Sequence, residues 1–365
     1  MDNVLIVAFS VAGIQFLYLG ILVYSHVRKY TVAHKNPQSI SIVVCAHDEE
    51  ANLKELVPLL LSQDHPDFEL IIVEDRSNDG TYDFLLGVTK KDSRLKMVRV
   101  MNTPSHINEK KFALTLGIKA AKHDLVLLTD ADCRPQSNSW ASVMSSQFAN
   151  EKNIVLGYSS YENTGGFLNL FIRFETLLTG LLYIGFAKLG RPYMGVGRNL
   201  AYRKSLFLDN KGFNKMLDVT GGDDDLFVNK YATSTNTSIA IGADVLVISS
   251  PKKIWKDFYY QKVRHLAAGK KYNFWDRIIL GGFVLSWIAC WVLLIVIAIL
   301  KMYWIATGII VVRWLLMILL FETSSRRLGD RFESWKIPFL DIVYLFYYIV
   351  VGIKAWRTKR IKWKI

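Results

Sequence analysis

The segment Asp124–Pro135 limits the possible folds of this chain most strongly, because an apolar run ends there in Asp130-Ala131-Asp132. The run has the length and composition of a buried strand. In an open α/β sheet, ligands bind at the carboxyl ends of the strands. Two neighbouring carboxylates repel each other unless a cation lies between them, so Asp130 and Asp132 predict a site for Mg²⁺ or Mn²⁺ shared with substrate phosphates.

Two earlier apolar runs end in acids in the same way. The run Ser39–Cys45 is followed by Glu49, and the run Glu69–Val73 is followed by Asp75. Helical apolar spacing over Asn52–Leu61 separates them, and this order is typical of a βαβ unit with a parallel sheet. Each loop alone is equally consistent with solvated carboxylates in a turn. Three acidic strand ends at one edge favour a nucleotide and metal site.

The apolar residues are concentrated in blocks of about one bilayer thickness. Mean hydropathy is positive, at +0.21, and four blocks account for the excess: Val4–Tyr24, Ile278–Leu300, Tyr303–Phe321 and a weaker Pro338–Trp356. The first is too long for a signal-peptide core and lacks an obvious cleavage site, so we predict a retained anchor. The chain is therefore expected to be an integral membrane protein.

The net charge of +13 has the distribution of a membrane protein and not of a nucleic-acid-binding one. Basic residues lie beside the apolar blocks, at 26–29, 270–271, 326–327 and 357–364. This pattern predicts contact with membrane lipid, no nucleic acid, and a cytoplasmic position for the region between the first two blocks. A bacterial inner (plasma) membrane is the expected location.

We predict five parts: an anchor (1–27), an α/β domain (39–250), a juxtamembrane segment (251–277), a membrane block (278–356) and a basic tail (357–365). Three later spans would leave the basic tail outside, so the last block is either a third span or an interfacial or re-entrant helix, which Pro338 and Asp341 favour. For the apolar-rich Phe167–Leu189 we favour a helix along the membrane interface over a core helix. The three cysteines are predicted to be reduced.

Two segments of the domain contain further candidate residues. Lys110 and Lys111 open a predicted helix, Phe112–Lys122, and offer charge to a phosphate, although a solvated surface is the commoner position for such lysines. The acids Asp223–Asp225 follow two glycines, and such crowding raises at least one pKa, as a general base requires. An acidic helix N-terminus is the simpler explanation of these acids.

Two more segments add cations. Gly195 and Arg198 belong to a glycine-rich segment that allows close approach of a ligand to the backbone. Gln261, Arg264 and His265 lie among aromatic residues just before the membrane block, where an arginine binds either a diphosphate or lipid head groups.

The order of these motifs resembles a known family. VEDRSNDGT at 73–81, TDAD at 129–132, GGDDDL at 221–226 and QKVRH at 261–265 occur in the order seen in membrane-integrated family 2 glycosyltransferases, such as cellulose synthases and ceramide glucosyltransferases. The resemblance runs from about Ser39 to Arg277. It implies an α/β domain of the GT-A fold, with a Rossmann-like mixed sheet for nucleotide binding, flanked by transmembrane helices.

The resemblance also implies roles for individual residues. Asp75 would contact the uracil or ribose of a nucleotide sugar, and Asp130 with Asp132 would hold the metal and diphosphate. Asp223 falls at the position of the catalytic base, but Gly222 replaces a common Glu, which leaves Asp225 as an alternative. The remaining candidates for substrate binding are Glu49, Lys110, Gly195, Arg198, Gln261, Arg264 and His265.

His265 stands where processive synthases have a Trp, whose indole would stack on an acceptor sugar. This departure and the short membrane block favour transfer of one or a few sugars. We therefore expect an inverting, metal-dependent glycosyltransferase that uses a lipid, lipid-linked or envelope glycan acceptor at the cytoplasmic membrane face. The alternatives are a short processive synthase that exports its polymer and a catalytically idle scaffold of the same fold.

Overall fold

The computed structural model describes residues 2–32, 36–104, 107–149, 151–217, 219 and 221–358. Residues 359–365 of the predicted basic tail and Thr220 beside the acid cluster lie outside the described residues. Ten strands are described: β1 (Ile40–Ala46), β2 (Phe68–Asp75), β3 (Leu95–Val100), β4 (Leu125–Asp130), β5 (Cys133–Pro135), β6 (Ile154–Gly157), β7 (Ser159–Tyr161), β8 (Leu200–Arg203), β9 (Thr237–Ala240) and β10 (Val247–Ser249).

Twelve α-helices are described in the same residues. They are α1 (Asp2–Val27), α2 (Glu50–Leu61), α3 (Thr81–Thr89), α4 (Glu109–Ala120), α5 (Trp140–Ser146), α6 (Gly166–Lys188), α7 (Lys204–Asp209), α8 (Asp225–Tyr231), α9 (Trp255–Ala268), α10 (Phe274–Ile299), α11 (Tyr303–Arg327) and α12 (Ile337–Arg357).

A seven-stranded mixed sheet forms the centre of the domain, in the order β3-β2-β1-β4-β8-β6-β9. The first four strands are parallel, β8 runs antiparallel to both of its neighbours, and β9 is parallel to β6. Along β1, alternate side chains enter opposite hydrophobic cores, so Ile42 joins the core beneath α2 and α5 while Val43 joins the core with α4 and α6. A central parallel strand is apolar on both faces for this reason.

A small second sheet, in the order β5-β10-β7, lies beside the central one. Its β5 follows Asp132 directly, and β10 pairs antiparallel with β5. The loop between α11 and α12 is attached to β7, because Asp330 accepts hydrogen bonds from Tyr158 (2.9 Å) and Ser160 (2.7 Å). The last helices are therefore tied directly to the α/β domain.

Five helices of the described chain are long and apolar enough to cross a membrane: α1, α6, α10, α11 and α12. Helix α1 packs against both α10 and α11. At one end of this bundle, Arg327 donates to the main-chain oxygen of Val27 (2.6 Å). At the other end, Ala8, Ile297 and Ile309 form a separate apolar cluster. Many outward residues are apolar and exposed, which is consistent with a membrane environment.

Helix α6 differs from the other four, because 78% of its most apolar window is buried within the protein. It contacts α1, β7 and α11, so the core interpretation describes it better than the predicted position along the interface. The other apolar blocks agree with α1, α10, α11 and α12 to within a few residues, and the predicted strands agree with β1, β2 and β4.

Candidate active site

The acidic strand ends meet at one edge of the central sheet. Because β1, β2 and β4 are parallel, Cys45 is in register with both Val73 and Asp130. Asp75 is the last residue of β2, and Asp132 follows β4 by two residues. The structure therefore brings the three predicted strand ends, those of β1, β2 and β4, to the same carboxyl edge.

The pair Asp130 and Asp132 can hold a divalent cation. One ligand atom each from Asp130, Asp132 and Cys133 lie within 4.8 Å of one another. Burial, followed by the negative charge of Asp130, raises the pKa of Asp132 above its ordinary value. Burial also raises the pKa of Cys133, which keeps it a neutral thiol and a poor ligand for a hard ion. A cation between the two carboxylates would relieve their repulsion, so the residues fit Mg²⁺ or Mn²⁺.

Lys110 lies between the metal acids and the second acid cluster. Its Nζ is 3.0 Å from Asp130 Oδ1 and 3.5 Å from Asp223 Oδ2. Although burial opposes the charged form, these two acids hold the pKa of Lys110 well above its ordinary value. The neighbouring Lys111 is fully buried and donates to the main-chain oxygen of Val219 (2.6 Å). The solvated surface that is common for such lysines is thus wrong for both.

The three consecutive acids have three different environments. Asp224 caps α8, since its carboxylate accepts the backbone N–H groups of Asp225 (2.8 Å) and Gly197 (2.7 Å). Asp225 accepts a hydrogen bond from Tyr272 Oη at 2.9 Å. Burial, and after it the charge of Asp224, raises the pKa of Asp225 to about 8. Asp223 alone of the three forms an ion pair with Lys110 within the described chain.

Asp75, the last residue of β2, and Glu49, which follows β1, form a separate part of the site. Asp75 is mostly buried, and its Oδ1 lies 2.7 Å from Arg76 Nε, so its carboxylate is already oriented by a cation. Glu49 precedes α2 and accepts a hydrogen bond from Asn52 (2.6 Å). Within the described chain, neither residue is part of the wall of the large cavity described below.

Arg198 joins the acid cluster from the loop before β8. Its guanidinium carbon lies 4.4 Å from the centre of the Tyr161 ring. Its Nη1 is buried and, among the described residues, has no hydrogen-bond partner. A Cβ on the nearby Gly195 would lie 3.0 Å from Val228, so the glycine serves close packing. Arg198 therefore offers an unused donor beside Asp130 and Asp132.

Helix α9 presents the last three candidates. Gln261 donates to Tyr161 Oη across 3.4 Å, and the three residues Gln261, Arg264 and His265 line one cavity with the acids. Burial lowers the pKa of Arg264 from its ordinary value, while the charges of Asp223 and Asp224 act in the opposite direction. The motif before the membrane block thus faces the acid cluster.

The cavity that these residues share has a volume of about 680 Å³. One end contains Asp130, Asp132 and Arg198, and the other extends between α6, α9, α10 and α12. Several residues of the cavity wall were not predicted from the sequence. Two of them could have been found: Glu175 is a charged residue in an apolar helix, and Lys262 lies inside the Gln-x-x-Arg motif. The missed residues are Tyr161, Glu175, Thr176, Lys262, Tyr272, Tyr344, Tyr347 and Tyr348.

Known proteins resemble this chain in fold. A mannosyltransferase from Pyrobaculum calidifontis, solved in complex with GDP-Man and Mn²⁺, superimposes with a TM-score of 0.61 at 15% identity, covering 98% of this chain and 99% of its own. This likeness and the mixed sheet place the α/β domain in the GT-A fold.

Sequence comparison shows which proteins the domain is similar to. Residues 41–209 match Glycosyl transferase family 2. A probable glycosyltransferase, YdaM, from Bacillus subtilis is 26% identical over 149 residues, which are 37% of this chain and 35% of that protein. A GalNAc(5)-diNAcBac-PP-undecaprenol beta-1,3-glucosyltransferase from Campylobacter jejuni is 26% identical over 197 residues, 53% of this chain and 59% of that protein. Over residues 41–209 the chain is therefore similar to family 2 glycosyltransferases, and it spans a third to three fifths of these relatives.

Proposed function

We propose that the chain transfers a sugar, with inversion, from a nucleoside-diphosphate sugar to a lipid or lipid-linked acceptor at a membrane surface. The observation that best supports this proposal is the shared cavity, which joins the acids of the GT-A domain to an aromatic wall formed by the apolar helices. A soluble acceptor would have no need of that wall. The lipid-linked acceptor in the name of the Campylobacter relative supports the same acceptor class.

The donor half of the site is assigned by charge. Asp130 and Asp132 would hold the divalent cation, which supplies Lewis-acid neutralisation of the diphosphate when bound. Arg198 and Arg264 offer guanidinium groups that match phosphate oxygens in geometry. Asp75 and Glu49, at the neighbouring strand ends, would contact the nucleoside.

The proton transfer is assigned to Asp223. Its carboxylate lies in the cavity beside Lys110, whereas Asp224 is committed to capping α8 and Asp225, with a pKa of about 8, is mostly protonated at neutral pH. Asp223 would take the proton of the acceptor hydroxyl as that oxygen attacks the anomeric carbon from the face opposite the leaving diphosphate. The hydrogen bond from Tyr272 to Asp225 would stabilise the cavity wall beside Asp223.

Release of nucleoside diphosphate by detergent-purified protein tests this function. UDP- and GDP-sugars would be supplied in turn with Mg²⁺, Mn²⁺ or a chelator, together with membrane lipid extract. We expect metal-dependent release with one donor, lowered about 100-fold or more by Asp132→Asn and about 10²- to 10⁴-fold by Asp223→Asn.

The exposed Asp244, outside the cavity wall, provides the matched control, and Asp244→Asn should leave release unchanged. Loss in Asp225→Asn with normal rates in Asp223→Asn would move the base to Asp225. Long polymeric products would favour a processive synthase. If no donor gives release of nucleoside diphosphate although nucleotide binding is measurable, the catalytically idle scaffold would be favoured.

A further inference from the structure

A buried ion pair lies in the half of the cavity nearest the apolar helices. Glu175 of α6 and Lys262 of α9 are in direct contact, both less than 10% exposed, and both line the cavity. The Lys262 ammonium also lies 5.6 Å from the centre of the Phe258 ring. Burying two opposite charges costs about as much desolvation energy as their attraction returns, so stability gives little reason for this pair. Its position on a cavity wall points to a ligand.

Two hydroxyl groups beside the pair lack partners. Thr176 Oγ1 and Tyr347 Oη are buried and, over the described part of the chain, accept or donate no hydrogen bond. Thr176 is only 6% exposed and follows Glu175, while the Tyr347 ring lies 5.9 Å from Phe258, which also contacts Lys262. Both residues line the same cavity. An unsatisfied buried hydroxyl costs about 1–3 kcal/mol, so these groups are poised for a bound partner.

The buried part of this wall is neutral, and the other two cations described there, Lys270 and Arg277, are exposed. Glu175 neutralises Lys262, and Lys270 donates to the main-chain oxygens of Trp356 (2.7 Å) and Thr358 (3.0 Å) at the end of α12. Arg277 is also in the wall, but it is exposed on the first turn of α10. The inner surface thus offers donors and acceptors together, which suits hydroxyl groups better than a phosphate dianion.

We propose that Glu175, Thr176, Lys262 and Tyr347 form an acceptor subsite for the hydroxyl groups of an uncharged, sugar-like or glycerol-like head group of a lipid. The inference rests on the proposed glycosyltransferase function and names its acceptor chemistry. One acceptor oxygen forms a bond to the anomeric carbon and loses its proton to Asp223. The bond from that carbon to the diphosphate oxygen breaks, and its electron pair leaves with the nucleoside diphosphate.

Two reactions of the full-length protein in a zwitterionic detergent separate the subsite from the donor site. Nucleotide release without acceptor reports donor hydrolysis, and product formation with an alkyl glucoside or a dialkylglycerol reports transfer. We expect Thr176→Val and Tyr347→Phe to raise the acceptor KM about ten-fold or more while donor hydrolysis stays unchanged. Tyr231→Phe is the matched control, since this tyrosine hydroxyl is also unpartnered among the described residues but lies outside the cavity wall.

Glu175→Gln tests the charge argument. It leaves Lys262 without its counter-charge, so farnesyl phosphate should inhibit transfer in this variant and not in the parent protein. Farnesyl phosphate serving the parent protein as the better acceptor, with an acid-labile glycosyl phosphate as product, would overturn the proposal. Subsite variants that behave like Tyr231→Phe would overturn it as well.

Binding provides a readout that does not depend on turnover. The alkyl glucoside should raise the melting temperature of the parent protein and do so far less in Tyr347→Phe. If no donor is hydrolysed but this difference is found, the subsite is supported and the proposed reaction fails. If donors are hydrolysed and no stabilisation is found, the subsite is wrong and the reaction stands.

Discussion

Asp225 gives the stability of the protein a large pH dependence. Its pKa rises from 3.8 to about 8 because burial and Asp224 disfavour the charge. A raised folded-state pKa contributes stability in full below the unfolded value, and this contribution is lost as the pH rises from about 4 towards 8. In that window the loss is at most about 1.4 kcal/mol per pH unit.

Asp225→Asn removes this titration. We expect the variant to melt above the parent protein at pH 8 and the difference to shrink steadily towards pH 5, because an amide resembles the protonated acid. Melting temperatures of the two purified proteins across this range check the prediction. A difference that is constant with pH, or that grows towards low pH, would contradict the assigned shift.

Gly221 and Gly222 show how the backbone selects residues before the acid cluster. Both have left-handed φ angles, +84° and +78°. A Cβ on Gly222 would lie 2.5 Å from Leu226 Cδ1, whereas the nearest atoms to a Cβ on Gly221 belong to Arg264 at 4.0 Å. The Glu that is common in the resembling family at position 222 does not fit here, which explains the departure found in the sequence.

The two glycines form a matched pair for mutation. Each change to Ala costs about 1–2 kcal/mol of backbone strain, but only Gly222→Ala also clashes with Leu226. We expect Gly222→Ala to lower the melting temperature and the rate of donor release more than Gly221→Ala. Leu226→Ala in the Gly222→Ala background should recover part of the donor release. Equal effects of the two single changes would contradict the close contact.

The sequence predicts site residues that belong to a local pattern, such as an acid after an apolar run. It does not predict residues whose surroundings depend on partners far away along the chain. Asp130, Asp132 and Asp75 follow apolar runs, so their place at the sheet edge was predictable. Lys111 is buried by the loop containing Val219, which lies far away along the chain. Glu175 and Lys262 are likewise 87 positions apart. No spacing rule connects such pairs before the fold is known.

The strands also divide into those that the sequence predicts and those that it does not. Strands β1, β2 and β4 are central and parallel, so they are apolar throughout and stand out in the sequence. Strands β6, β8 and β9 have four residues each and gain their structure from their neighbours. Their composition does not distinguish them from loops, and the antiparallel half of the sheet was predicted only through the family resemblance.

Helices α11 and α12 are joined by an ion pair inside the apolar region. Arg313 donates two hydrogen bonds to Asp341, both 2.9 Å long, and both residues are fully buried. Trp314 also donates to this carboxylate (3.2 Å). A charged residue in the middle of an apolar helix is costly without a partner, and Asp341 provides that partner for Arg313.

Removing one member of this pair leaves the other buried without its counter-charge. We expect Arg313→Met and Asp341→Asn each to destabilise the protein by about 3–5 kcal/mol, and the double variant to be less destabilised than the sum. Apparent melting temperatures in detergent provide the measurement. Additive losses would show that the two side chains act independently and would contradict the pairing.

For the whole molecule, the contacts at the two ends of α12 limit its path. Its first turn follows the loop whose Asp330 is bonded to β7, so it starts beside the α/β domain. At its other end, Lys270, between α9 and α10, donates to the oxygens of Trp356 and Thr358. Helix α9 packs along it between these points. This path favours the interfacial or re-entrant alternative over a third span, and the topology stays a prediction.

Cysteine labelling in sealed membrane vesicles tests this topology. Single cysteines at Thr358, at Lys252 in the α/β domain and at Lys301 in the turn between α10 and α11 would be introduced after replacing the three native cysteines. Because α12 returns to the domain, an impermeant maleimide should modify positions 358 and 252 from the same side and position 301 only from the other side. Labelling of 358 together with 301 would instead show that α12 crosses the membrane. The aromatic wall that α12 gives to the cavity would then lack the support of its domain-side contacts, and the acceptor subsite proposed on that wall would fail with it.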